Sequence, residues 1–155
     1  MTGPGDIRRG DAAPKDHDRS EELPTIPRNF AVAIDAAEIG FCSLSRLCSE
    51  TVPDDPAGAP RDLSRLVHRY SNVVLRRALG RDRRLYDWRQ NILAGKADKR
   101  QVSIRQLDAA GREAMNTWIL EGAWPCRWAG PAFDAGATDV AMEEIELAFD
   151  RLVWR

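Results

Sequence analysis

From Asn29 onward, glycine, proline and Asx residues interrupt this chain about every ten residues, and the pieces between them are short and rich in Val, Ile, Leu and aromatic side chains. Such punctuation leaves room for only one helix of ordinary length. The chain must otherwise be built from short strands joined by turns, the pattern of an all-β sandwich or barrel. Phe30–Ile34 has strand length and composition. A second strand is expected across Glu38–Cys48, with Gly40 marking a bulge. Val52–Pro60 holds three prolines and a glycine, so it reads as a loop. Arg65–Tyr70 and Asn72–Leu79 follow as β-branched and aromatic strands.

After Gly80 the period changes. Asp82 is placed as an N-cap, and Leu85, Trp88 and Ile92 form one stripe of a short helix that stops at Gly95. Arg100–Leu107 returns to alternation, Asp108–Arg112 is a hairpin turn, and Ala114–Leu120 is the returning strand. Ala123–Trp128 carries Pro125, which suits an edge or a bend. A Gly, Pro and Asp-rich loop covers Gly130–Asp139. Val140–Phe149 is the last expected strand, with Ala141, Ile145, Leu147 and Phe149 on one side and Glu144 and Glu146 on the other. Glu143 falls on the apolar side. The expectation is a mainly β fold, a sandwich or barrel of about seven to eight strands with one short helix. Tyr70, Leu85, Trp88, Trp118 and Trp124 are its expected core anchors.

At 155 residues the chain has the size of one domain, and 43% hydrophobic residues suffice for a core. Residues 1–28, nearly devoid of apolar side chains, cannot offset their ordering entropy by burial and read as a flexible arm before a β-domain at 29–155. Three cysteines at no ligand spacing and two histidines assemble no structural zinc site. No apolar export segment or membrane-length stretch is encoded, so cytoplasmic synthesis is expected, with no membrane anchor.

Catalytic constellations are weak. Ser64 and His68 lie four apart without a glycine elbow, so they make no credible nucleophile pair. On a strand Glu143 points away from Glu144 and Glu146, and three carboxylates cannot converge on one metal ion. No phosphate-cradling glycine pattern is present. Neither catalytic residues nor a metal or cofactor is expected.

The net charge of −1 excludes a generally cationic nucleic-acid or membrane binder, yet it conceals a strong asymmetry. Residues 61–105 hold thirteen basic and four acidic side chains, while residues 1–60 hold six and eleven and residues 106–155 four and nine. Arg76, Arg77, Arg81, Arg83, Arg84 and Arg89 crowd into fourteen residues with Tyr86 and Trp88 among them. Such a cluster can serve nucleic acid. The alternative is that arginines meet the acidic C-terminal strand of a neighbouring copy. On that reading Arg76, Arg77, Arg81, Arg83, Arg84, Glu143, Glu144 and Glu146 are interface candidates.

Tyr70-Ser-Asn-Val-Val-Leu-Arg-Arg77, the short helix entered through Leu85 and Trp88, Trp118-Ile-Leu-Glu-Gly-Ala-Trp-Pro125 and Val140-Ala-Met-Glu-Glu-Ile-Glu-Leu-Ala148 occur in this order. In that order they resemble the tube proteins of contractile phage tails and extracellular contractile injection systems, a family similar in fold to the type VI secretion tube. The resemblance covers roughly residues 29–150. It implies hexameric rings that stack into a channel for DNA or an effector, with sheath, baseplate and a second tube protein as partners. It brings no catalytic residue. Val52–Pro60 stands where family members carry a longer hairpin that reaches a neighbouring ring. That departure, with the arm, suits a tube-initiating or minor ring at the baseplate as an alternative to the major tube subunit.

Overall fold

The computed structural model describes residues 29–54, 66–136 and 138–155. Its architecture is mainly β, as expected, with ten strands and one helix. The strands are β1 (Phe30–Ile34), β2 (Ala37–Ile39), β3 (Ser43–Leu44), β4 (Ser49–Pro53), β5 (Leu66–Tyr70) and β6 (Val73–Ala78). Helix α1 (Arg84–Leu93) follows, then β7 (Arg100–Leu107), β8 (Ala114–Ala129), β9 (Met142–Ala148) and β10 (Arg151–Trp154). Eight strands share one antiparallel sheet in the order β2-β1-β7-β8-β9-β6-β3, with β10 also on β8. The sheet does not close into a barrel. Among the described residues β4 and β5 pair only with each other, as a separate ribbon.

β8 is the spine of the sheet. Its first half lies between β7 and β10, and its second half pairs with β9. The sheet therefore has two limbs that share one strand: β2-β1-β7-β8-β10 and β8-β9-β6-β3. The change of limb comes at Gly122, whose φ of +64° is left-handed. A Cβ there would run into the Asp150 carboxylate, so any other residue needs that side chain to move as well as tolerating the left-handed backbone. Opposite it, Phe149 and Asp150 break the returning chain into β9 and β10, and the register slips again between Pro125 and Arg127. On the other side the register of β8 with β7 shifts between Arg100 and Val102, so both ladders of β8 are interrupted near Gly122, which lets the limbs face each other.

The core fills the space between the limbs. Val32, Ile104 and Leu120 come from the first, Leu75, Ile145 and Leu147 from the second, and Leu85 and Trp88 from the helix. All eight are at most 2% exposed, as burial of an alternating strand face requires. Trp88 donates from its indole Nε1 to the Asp98 carbonyl at 2.7 Å, and the Arg100 guanidinium lies 5.0 Å from its ring centre. Arg100 in turn holds the Asp98 carboxyl below the usual range. Of the other expected anchors, Tyr70 packs on Phe149 at 5.3 Å and Trp118 stacks on Trp154 at 5.8 Å, both half-buried, and Trp124 is half-buried opposite Ala148.

Several boundaries differ from the sequence expectation. The strand placed over Glu38–Cys48 is two pieces, because the chain leaves the edge of the first limb at Gly40, buries Phe41, and joins the edge of the second as β3. Strand β4 runs through Val52 and Pro53, where a loop was expected; residues 55–60 of that loop and Ser64 lie outside the described residues. Ala114–Leu120 and Ala123–Trp128 are one strand, bent but not broken. β10 follows the strand expected to be last. Asp82 accepts from the Arg84 amide at 3.0 Å, although the N-cap position itself is Arg83.

Candidate assembly surfaces

Strands β6 and β9 place arginine opposite glutamate on two successive rungs, Arg76 on Glu144 and Arg77 on Glu143. Successive side chains of a strand point to opposite faces, so one pair is turned inward and the other outward. Inside, Arg77 is 8% exposed and Glu143 2%. Arg77 Nε donates to Glu143, its Nη1 to Asp82 Oδ2 at 3.0 Å and its Nη2 to the Asp82 carbonyl at 2.8 Å. The second Glu143 oxygen accepts from Trp128 Nε1 at 2.9 Å. Each side-chain nitrogen and oxygen of this inward pair thereby has a partner, the condition under which a buried charge pair is tolerated. The Glu143 that broke the alternation of the sequence is the acidic half of that pair.

Outside, Glu144 accepts from Arg76 Nε at 2.7 Å and from Arg127 Nη1 at 2.6 Å, and these two guanidinium groups hold its carboxyl below the usual range. Glu146 accepts from Asn72 at 2.8 Å. Asp82 is the hub at the helix entrance. Arg84 grips both of its oxygens at 3.0 Å, and this grip, with the Arg84 amide and Arg77, holds the carboxyl far below the ordinary aspartate range. Burial raises the Cys126 thiol, whose Sγ donates to the Glu146 carbonyl at 3.4 Å.

The eight interface candidates therefore do not form one surface. Arg76 and Arg77 meet the acidic strand of their own chain, and Arg77 and Glu143 are enclosed within the protomer. Arg84 is committed to Asp82, while Arg89 donates to the Pro125 carbonyl at 3.1 Å and ties the helix to β8. Arg83 lies 3.7 Å from Asp87 and 5.4 Å from the Tyr86 ring centre. Arg81 and Arg83 remain exposed at the helix entrance. The six arginines of the sequence run thus meet different surroundings, and Arg76, Arg77 and Arg84 are paired with carboxylates of their own chain. Among the described residues no three His, Cys, Asp or Glu side chains are placed to hold a metal ion. His68 sits in the ribbon, its Nδ1 2.9 Å from Thr51 Oγ1.

Two surfaces were not legible beforehand. The β4–β5 ribbon stands apart from the main sheet with nearly every residue exposed or half-exposed. Trp154 on β10 is 68% exposed, Met115 at the start of β8 65%, and Phe133 and Val140 stand out at 88% and 69% on the loop between β8 and β9. The apolar run Leu152-Val153-Trp154, with its β-branched and aromatic residues, was the available signal for the missed strand.

The described residues thus form a mainly β unit with an open sheet, a separate ribbon and exposed aromatic side chains. The model of the T4-like virus tail tube protein gp19 family matches residues 27–153. The chain belongs to that family. The tube protein is 25% identical to a chain of the PVC extracellular contractile injection system sheath-tube complex in the extended state. That match covers 93% of this chain and 99% of the other, with a TM-score of 0.63. It is 26% identical to a chain of the PVC sheath/tube terminator in the extended state, covering 86% and 98%, with a TM-score of 0.64. Hcp1 from Flavobacterium johnsoniae shares the fold at 10% identity, covering 82% and 94%, with a TM-score of 0.61. No curated protein matches the sequence. The tube protein is accordingly a structural subunit of a contractile tail or injection-system tube. Its relatives are components of assembled particles, and no helix among the described residues is long and apolar enough to cross a membrane.

Proposed function

We propose that the tube protein assembles as hexameric rings that stack into the inner tube of a contractile particle and enclose a channel for DNA or an effector. The observation that carries this reading is the open sheet: a protomer of this family whose strand edges and aromatic side chains stay exposed until other copies cover them. Rings made by unlike surfaces can also stack head to tail, a contact that does not close and so generates a filament. The ribbon of β4 and β5 suits contact between rings, because two strands alone are marginal in water and gain from a partner. Exposed Arg81 and Arg83 are proposed contacts to acidic surfaces of neighbouring copies. Synthesis in the bacterial cytoplasm, a separate arm at residues 1–28, and sheath and baseplate as partners complete the reading.

A specialised ring at one end of the tube is the second reading, favoured by the likeness to a chain of a sheath/tube terminator, comparable in identity to that with the sheath-tube complex. Purified protein imaged by negative stain separates the two. Six-fold rings that extend into long tubes support the major subunit, and six-fold rings that stay single support the specialised one. A stable monomer with steeply salt-dependent DNA binding would sink both.

A further inference from the structure

The first limb of the sheet ends in β2 on one side and β10 on the other, and among the described residues each has a strand neighbour on one side only. The ladder fixes which backbone groups face outward. Arg155 and Thr117 exchange both of their hydrogen bonds, at 2.8 and 3.1 Å. In an antiparallel ladder such pairs alternate, so Val153 and Arg151 also turn toward β8, and Leu152 and Trp154 point their N–H and C=O groups outward. At the other end, Asp35 donates to the Gln101 carbonyl at 2.9 Å and Leu107 to the Asn29 carbonyl at 2.8 Å. The odd-numbered residues of β1 therefore bond to β7, and Val32 and Ile34 bond to Ile39 and Ala37 of β2. Glu38, between those two, is left with its N–H and C=O facing outward.

Both edges run in the same direction, since β1 and β8 run one way and β2, β7 and β10 the other. A two-fold axis joins like edges, whereas a rotation axis along the strands joins unlike edges in parallel. In a parallel ladder one residue bonds to the two that flank its opposite number. Glu38 offers one such residue, and Leu152 and Trp154 are the two flanking groups. We propose that β10 of one tube subunit pairs in parallel with β2 of the next. Glu38 sits opposite Val153 of the neighbouring copy, donating its N–H to the Leu152 carbonyl and accepting the Trp154 N–H on its own carbonyl. This inference rests on the ring reading above.

The side chains agree with that register. Leu152 and Ile39 pack on the core side, so Val153 and Glu38 share the opposite face. There Arg151 and Arg155, both exposed, flank the Glu38 carboxylate, which within its own chain accepts from Arg105 at 2.6 Å, while Arg151 lies 3.8 Å from Glu121. On the core side Ile39 comes beside the exposed Trp154 and Ala37 beside Leu152. The junction therefore satisfies both outward backbone groups of Glu38, the Leu152 carbonyl and the Trp154 N–H, sets an anion between two cations and covers an exposed aromatic ring.

The test uses the full chain. Glu38→Lys, or Arg151→Glu with Arg155→Glu, removes the ring species from size-exclusion light scattering at a concentration where the wild type is fully assembled. The three substitutions together restore rings. Because these side chains lie on the surface, the thermal unfolding of each variant monomer stays within a few degrees of the others. Independently, Glu38→Cys with Val153→Cys in a Cys42→Ser background gives, on oxidation, a ladder of cross-linked chains that rises one subunit at a time. Rings that persist in Glu38→Lys and yield no ladder overturn the edge pairing and leave the ring reading standing. Wild-type protein that forms no rings at all overturns both.

Discussion

Arg77–Glu143 and Arg76–Glu144 are the same chemistry on neighbouring rungs of one ladder, one inside the sandwich and one outside, so substitution of each glutamate measures what burial alone does. Glu143→Gln keeps the shape and removes the charge. The amide can present its single oxygen either to Arg77 Nε or to the Trp128 indole N–H, and its NH₂ must then face the other donor. One charge-assisted bond is lost, which costs about 1.5–3 kcal/mol, and a guanidinium 8% exposed keeps only Asp82 as counter-charge. Removing one partner of a buried pair costs about 3–5 kcal/mol, and the surviving Asp82 contact places this case near about 3 kcal/mol. Glu144→Gln acts between two guanidinium groups that are 59% and 57% exposed, where a pair contributes about 0–1 kcal/mol. Urea unfolding of the monomer reads the difference directly, and it corresponds to about 10 °C in melting temperature for a domain of this size. Losses for the two variants within about 1 kcal/mol of each other would refute the assignment of the inner pair as a buried, fully engaged charge cluster.

Gly122→Ala places a Cβ 2.1 Å from Asp150 Oδ2 at a left-handed φ and is expected to cost about 2 kcal/mol, part of which Asp150→Ala restores by clearing the clash. Urea midpoints of the single and double variants check this. Asp35 and Ala36 turn β1 into β2 with φ of +47° and +66°, so Ala36→Gly removes a steric penalty and raises stability by about 1 kcal/mol, where a lower midpoint would contradict the turn. The Asp82 carboxyl is held far below its unfolded value near about 4, so its contribution is complete above that pH and disappears as pH falls through and below it. The stability gap between wild type and Asp82→Asn therefore narrows from pH 7 to pH 3, and a gap constant over that range would exclude the Arg84 and Arg77 contacts as its source.

What the sequence disclosed about this fold depended on the range of the interactions involved. The helix was legible because Leu85 and Trp88 repeat at helical spacing between Gly80 and Gly95, all local signals. β7 and the start of β8 were legible because one short turn joins them. The break of the expected 38–48 strand was not, since it arises from a crossing between two limbs that only the folded sheet defines. Nor was the continuity of β8 through Pro125, whose missing N–H costs nothing at a register slip. At the assembly surface the residue types were visible and their partners were not. Arg76 and Arg77 lie sixty-six or more residues from Glu144 and Glu143, and only strand pairing decides that their charges meet within one chain.

β8 also has a mechanical meaning. Because one unbroken backbone passes through both limbs, a pull along one limb reaches the other through covalent bonds and not through side-chain packing alone. The two limbs cannot slide past each other without breaking the β8 ladders with β7 or β9. Force applied to either limb is therefore shared along the whole of β8, and that path is least braced where its ladders are interrupted, at Gly122 and at the register shifts beside Arg100–Val102 and Pro125–Arg127.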